Sequence, residues 1–418
     1  MVEIWLAVRW YVGMQFFALV ALPLCLRLFR RLPDRGYSLS KAFGLLVSGW
    51  VFWMLGTIGV VNNTALGVIM AAAVVGIVCW LVTPRFAGDT PRLSWKLVLT
   101  TELLLVLAFA FWSLVRADMP RLDPSGGEKW MEIAFLRGIL RSETFPPNDP
   151  WLSGYSISYY YFGYFIVAMV TKLSAVPASI AFNLGIAALF ALTCTGTFGI
   201  VYNLVAIDRR GKGRQGDERT KRASGDVVRR AIAFGLLAAL LVAVMGNLEG
   251  FLEVLHESGI GSPEFWAWID IDSIDGAVAT GDVALRAPDR WFWWWQASRV
   301  ITDYSITGQA QLVIDEFPSF SFILGDMHPH VLALPFVLLA IGLSLNVFLR
   351  TKETPDEWVV RLSKWTLPSP LAGWELLVCA LVLGGLGFLN TWDFPIYVAL
   401  FVGAYAVGQL PVLRSHVR

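Results

Sequence analysis

The sequence predicts an all-α integral membrane protein with about nine transmembrane helices and further helices held in a long loop. Three observations carry that expectation. Of the 418 residues, 56% are hydrophobic and only 16% charged, where a soluble domain carries about 25% charged residues. The mean hydropathy is +0.60. Apolar runs of roughly 20 residues, the length that crosses a bilayer, recur along the chain. The net charge of +1 gives no basis for a nucleic-acid partner. Cys25, Cys79, Cys194 and Cys379 all fall inside apolar runs and read as packing residues rather than disulfide or metal partners.

Taken in order, spans are expected at 10–29, 42–61, 64–83, 97–115, 179–206, 231–253, 331–349, 373–389 and 394–412. The first leads straight into the others and reads as a retained helix, not a cleaved leader. Residues 1–95 thus supply three spans ahead of a module covering 96–418. Lysine and arginine in short loops set the orientation. They gather at 27–41, at 84–96 and most densely at 208–230, so all three loops are expected to be cytoplasmic. A tenth apolar stretch, 159–175, breaks that agreement if it crosses the membrane. It is therefore read as an interfacial or re-entrant helix, the latter allowed where protein or a wet cavity covers the backbone. The expected result is an external N-terminus, a cytoplasmic C-terminus, and external loops at 117–178, 254–330 and 390–393.

The loop 117–178 holds most of the candidate chemistry. After Gly126 and Gly127, helical spacing begins near 128–141 and places Glu128 and Glu132 on one helical face. That face suits either a solvated surface or a carboxylate held at the membrane as a general base or metal ligand. Asp118, Asp123 and Asp149 are further acids of the loop. Tyr159, Tyr160 and Tyr161 follow, as an interfacial aromatic belt or as a stacking surface for a sugar or lipid phosphate. In the next external loop, Asp326, His328 and His330 alternate just before a span. In extended backbone they point the same way and suit a divalent metal, Mg or Mn, or a phosphate. Arg290 and Arg299 flank a tryptophan run that includes Trp294, a pairing suited to phosphate and to a sugar face or headgroup layer. Asp393 lies in the tight turn between the last two spans, at the external end. The acidic piece 269–274 lacks the glycine and closing glutamate of a calcium loop and reads as surface.

Together, GGEKWMEIAFLRGILRSETFPPNDPWLSGYSISYYYFGY, RWFWWWQASRVI, EFPSFSFILGDMHPHVLALPF and GFLNTWDFP resemble the YYY family of bacterial and archaeal membrane proteins over about residues 95–412. That family is similar, more distantly, to the C-type glycosyltransferases, which take a sugar from a polyprenyl-phosphate donor. The resemblance implies a catalytic acid in the first long external loop: Glu128, then Asp118, Asp123 and Glu132. Lys129 stands where that superfamily usually has a second acid. The candidate substrate-binding set, read from the chemistry and placement of the residues, is Lys129, Tyr159, Tyr160, Tyr161, Arg290, Trp294, Arg299 and Asp393. The resemblance further implies a lipid-linked sugar as partner and inverting transfer to an acceptor hydroxyl. The chain ends soon after its last span, at Arg418, which fits a fragment or a short member. A transporter or flippase, or a noncatalytic scaffold, is the competing reading. Few charges within the spans and no inverted repeat speak against transport.

Overall fold

The computed structural model describes residues 2–82, 93–122, 127–207, 218–271, 274, 293–353, 358–362, 365–369 and 371–416, without side chains at 82, 218–224, 293–294, 352–370 and 411–416. Asp123, Arg290 and the Trp294 side chain therefore lie outside the description, as do most of the basic segments 84–96 and 208–230. The helices run α1 (Val2–Leu28), α2 (Ser40–Thr57), α3 (Ala65–Val82), α4 (Trp95–Asp118), α5 (Lys129–Arg141), α6 (Phe162–Ser174), α7 (Ala178–Ile207) and α8 (Glu218–Leu240). Then come α9 (Glu249–Glu257), α10 (Pro263–Ile269), α11 (Trp293–Gln296), strands β1 (Thr302–Tyr304) and β2 (Ala310–Leu312), and α12 (Pro318–Leu324). The chain closes with α13 (Pro329–Glu353), β3 (Trp358–Leu362), β4 (Trp365–Ser369), α14 (Gly373–Leu389) and α15 (Asp393–His416). Two compact units result: Met1–Ala239 with Asp326–Arg418, and Leu240–Gly325.

Seven helical stretches among the described residues are long and apolar enough to cross a bilayer: Val2–Leu28, Tyr37–Thr57, Trp95–Asp118, Ala178–Ile207, Gly225–Met245, Pro329–Thr351 and Asp393–Leu410. The other two expected spans fall on shorter apolar helices, Ala65–Leu81 and Gly373–Leu389. Each covers about 25 Å at 1.5 Å per residue, just under a ~30 Å hydrocarbon core. The span expected at 231–253 stops earlier. After a π-helical turn at Leu241–Met245, Gly246 adopts φ 72°. The Asn247 side chain then accepts the Glu249 N–H at 3.1 Å, opening the separate amphipathic helix α9. The purely helical expectation also misses two small antiparallel hairpins, β1–β2 and β3–β4.

In the first unit α7 is the central helix, buried along nearly its whole length. Its interior Thr193 and Thr195 hydroxyls donate to carbonyls one turn back, which satisfies them where no water reaches. The backbones of α1 and α2 touch because residue 44 is glycine: a Cβ there would lie 2.3 Å from the Phe17 carbonyl oxygen. The four cysteines are all free and buried.

One end of this unit is knitted around the first loop. Asp34, fully buried, accepts from Asn203 Nδ2 at 2.8 Å, Ser38 Oγ at 2.6 Å and the Gly36 N–H at 2.8 Å. Asn346 Nδ2 donates to the Leu28 carbonyl at 2.9 Å. Arg350 pairs with Glu375 at 2.5 Å. The ends of α1, α7 and α13 and the start of α14 therefore share this end.

The opposite end gathers the loops after α2 and α4. Near the end of α4, Arg116 Nε donates to Asn183 Oδ1 near the start of α7 at 2.9 Å, and Asn183 Nδ2 reaches the Pro120 carbonyl at 3.3 Å. The chain between α4 and α7 thus returns to the end it left. Helix α6, inside that excursion, has 13 residues, and nearly all of them are buried. At about 20 Å it is too short to cross a bilayer. It is covered by its neighbouring helices along nearly its whole length. Lys172 is half-buried and donates from Nζ to the Leu140 carbonyl at 3.0 Å, so this cation caps the last turn of α5 and does not reach for headgroups.

The second unit holds α9 to α12 and the hairpin β1–β2. Its small core packs Trp266, Ile271 and Ile274 against Leu252, Leu255 and Val300.

Candidate active site

Helix α5 carries the site because its sequence is amphipathic. Glu132, Phe135, Leu136 and Ile139 recur at helical spacing and turn inward, while Arg137 and Arg141 stay exposed. Asn63 holds the C-terminal end of the helix, donating from Nδ2 to the carbonyls of Ile139 and Ser142, both at 2.7 Å. At the other end Glu128 occupies the N-cap position.

The two glutamates part company there. Glu132 is completely buried, whereas the Glu128 side chain is 53% exposed. The solvated-face expectation therefore fails for Glu132. Its Oε2 accepts the Met327 N–H at 2.8 Å, across 195 residues of sequence. Asp326, also buried, lies beside it, and Asp326 Oδ2 accepts the Glu128 N–H at 3.3 Å. His328 Nδ1 stands 3.5 Å from Glu128 Oε2 and 4.0 Å from Glu132 Oε1. Burial, the facing Asp326 and nearby Glu128 push the Glu132 carboxyl well above the usual carboxylate range, against the pull of the Met327 N–H. No donor from outside the pair reaches Glu132 Oε1 or Asp326 Oδ1, so the two carboxyls meet through a proton.

Gly127 makes this approach possible, and it is the residue the sequence reading missed. Its φ is +71°, and a Cβ there would fall 2.3 Å from Asp326 Oδ2. In the sequence it reads only as a chain break, because Asp326 is 199 positions away.

The Asp-x-His-x-His expectation is half realised. Residues 326–328 are non-helical, but α13 begins at Pro329, the first-turn position proline favours. His330 is therefore helical. Its ring lies 5.2 Å from that of His328, and the trio that converges is Glu132, Asp326 and His328. His330 faces the α14–α15 turn, where Asp393 lies within its electrostatic reach and accepts from Asn390 Nδ2 at 3.0 Å.

The tyrosine run borders the cluster. Tyr159 stacks on Phe135, one turn from Glu132, with ring centroids 5.6 Å apart. Burial and the charges of Glu128, Glu132 and Asp326 raise its phenol pKa. Tyr160 packs on Tyr159 at 5.0 Å, and Tyr161 accepts from Trp53 Nε1 at 2.9 Å. A cavity of about 220 Å³ extends from these tyrosines between α2 and α14, lined by Trp50, Trp53, Phe388 and the glycines at 384, 385 and 387.

Other expected residues stand outside this group. Asp118 is exposed at the end of α4, and Asp149 caps its own loop by accepting the Trp151 and Leu152 N–H groups. Lys129 is buried at the first position of α5. Arg299 belongs to the second unit, where its guanidinium stacks 3.7 Å over Trp295.

The family described as uncharacterized membrane protein (DUF2298) matches residues 47–415. No curated protein and no solved structure shows a significant match to the chain.

Proposed function

The chain belongs to the DUF2298 family of uncharacterized membrane proteins, and we propose that it is a membrane glycosyltransferase that takes a sugar from a polyprenyl-phosphate donor. We read the family as the one marked by the YYY tyrosine run, with the fold of a C-type glycosyltransferase. The observation that carries this reading is a convergence. A loop helix brings Glu128 and Glu132 against Asp326 and His328, beside tyrosines that open onto an apolar cavity between helices.

Each part has a role in such a transfer. Glu128, half-exposed at the rim, is placed to take the proton of an acceptor hydroxyl. The acceptor oxygen then attacks the anomeric carbon as the bond to the lipid phosphate breaks, and polyprenyl phosphate leaves with the electron pair. His328, its Nδ1 3.5 Å from Glu128 Oε2, flanks that base. Tyr159 and Tyr160 offer a ring face and hydroxyls to the sugar. The cavity behind them suits the first part of an isoprenoid chain. The acidic loops face outside in this reading, with the N-terminus external and the C-terminus cytoplasmic.

A transporter is less well supported. Among the described residues the half-buried pair Lys41–Glu102 and the buried pair Arg350–Glu375 lie toward helix ends and form no mid-membrane relay. The test is turnover of a radiolabelled polyprenyl-phosphate hexose by the purified protein in detergent, where no gradient exists. The expected result is donor hydrolysis or transfer that drops by roughly 10²–10⁴-fold in Glu128→Gln, the usual worth of a general base. Turnover unchanged by that substitution removes Glu128 from the mechanism. Donor bound but never consumed by wild type favours the transport or scaffold reading.

A further inference from the structure

We infer that Glu132, Asp326 and His328 bind one divalent transition-metal cation of the Mn²⁺ class. Each residue presents one ligand atom, and the three atoms lie within 4.8 Å of one another. Ligands held about 2.0–2.2 Å from a shared cation stand at most about 4.3 Å apart. The 4.0 Å between His328 Nδ1 and Glu132 Oε1 already satisfies that limit, and the widest separation closes with a shift of roughly 0.5 Å.

Exposed acids often cluster without a cation; these two are buried and each has an oxygen that no outside donor reaches. Glu132 is 0% and Asp326 3% exposed. In each carboxylate one oxygen is oriented by a backbone N–H, from Met327 to Glu132 and from Glu128 to Asp326. The other oxygen receives no donor from outside the carboxyl pair, and His328 Nδ1 has no hydrogen-bond partner. Two carboxyls side by side in a dry interior need a proton or a cation between them, and a shared divalent cation compensates both at once. The backbone N–H groups supply the outer hydrogen bonds that hold metal-ligating carboxylates in place.

The donor set selects the ion. Two carboxylates and an imidazole suit Mn, Fe or Zn better than Mg or Ca, which prefer oxygen alone. Three protein ligands also leave positions open for a phosphate oxygen. A cation there would neutralise the departing lipid phosphate; that role rests on the transferase reading, whereas the binding itself does not.

The test uses the full chain, purified in detergent, stripped with EDTA and titrated with Mn²⁺, with free Mn²⁺ read by electron paramagnetic resonance. One Mn²⁺ per chain is expected. Glu132→Gln, Asp326→Asn and His328→Gln should each weaken binding by about 100-fold or more, beyond the effect of losing an outer hydrogen bond. Glu143→Gln, an exposed acid of the same loop, should leave affinity unchanged. His328 is 27% exposed, so His328→Gln decides the matter if the acid variants fail to fold. Absence of stoichiometric binding, or affinity unchanged in His328→Gln, overturns the inference. Donor turnover by metal-stripped protein that binds no Mn²⁺ removes the cation and keeps the transferase. Mn²⁺ bound at this site without donor turnover does the reverse.

Discussion

Replacing Glu132 by glutamine should stabilise the metal-free protein while abolishing its activity. Glutamine has the same shape, so its Oε1 keeps the Met327 N–H now held at 2.8 Å. Its Nε2 takes the place of the proton through which Glu132 meets Asp326. Keeping protonated in the fold an acid that ionises when unfolded costs stability at neutral pH, and removing that cost, about 1–3 kcal/mol, sets the expected gain. On the scale of about 2–4 °C per kcal/mol for large domains, the apparent Tm should rise by several degrees. Tryptophan fluorescence during heating in EDTA reads this directly, with 19 tryptophans as reporters. Mn²⁺ at about 100 times its Kd should then add about 2.7 kcal/mol to wild type. It should add little to the variant, so the order of stability reverses. A variant less stable than wild type in EDTA would refute the reasoning, because Glu132 would then be contributing to the fold and not taxing it.

Gly127→Ala should cost about 1–2 kcal/mol from its left-handed backbone alone; displacement of Asp326 should also lower donor turnover, measured beside a melt. Gly384→Leu should leave the fold intact, because a Cβ there meets nothing within 4 Å; filling the cavity beside it should raise KM for the lipid-linked donor, and an unchanged KM argues against the cavity as the lipid site. Glu375→Ala should destabilise by about 3–5 kcal/mol by leaving Arg350 buried without its closest acid, and Glu375→Leu with Arg350→Met should recover most of that loss in chemical unfolding.

The membrane class, most span positions and the loop helix at 128–141 were legible because they depend on local periodicity and on runs of apolar residues. The parity of the basic loops likewise pointed to a non-crossing 159–175, which the Arg116–Asn183 tie between α4 and α7 agrees with. Long-range pairing was not legible. Periodicity places Glu128 and Glu132 on one face, but nothing local says that Asp326 will cover Glu132 and leave Glu128 at the rim. Alternation likewise suggested that His328 and His330 would act together. Pro329 starts a helix between them, and the side chain that joins Asp326 and His328 is Glu132. The early stop at Gly246 was hidden because Leu252 and Val254 extend the apolar run, although they belong to a second helix.

The bond between Glu132 and the Met327 N–H joins positions 195 residues apart, which gives the site a timetable during synthesis. At roughly 5–20 residues per second, α5 leaves the ribosome some 10–40 s before its partner strand of sequence exists. For that interval Glu132 must stay hydrated, and a polar-faced helix in a loop allows this where a membrane span would not. The site closes only when α13 has been inserted. Its assembly therefore reports the arrival of α13, with α14 and α15 still to follow, and a chain stalled before residue 326 carries the helix but not the site.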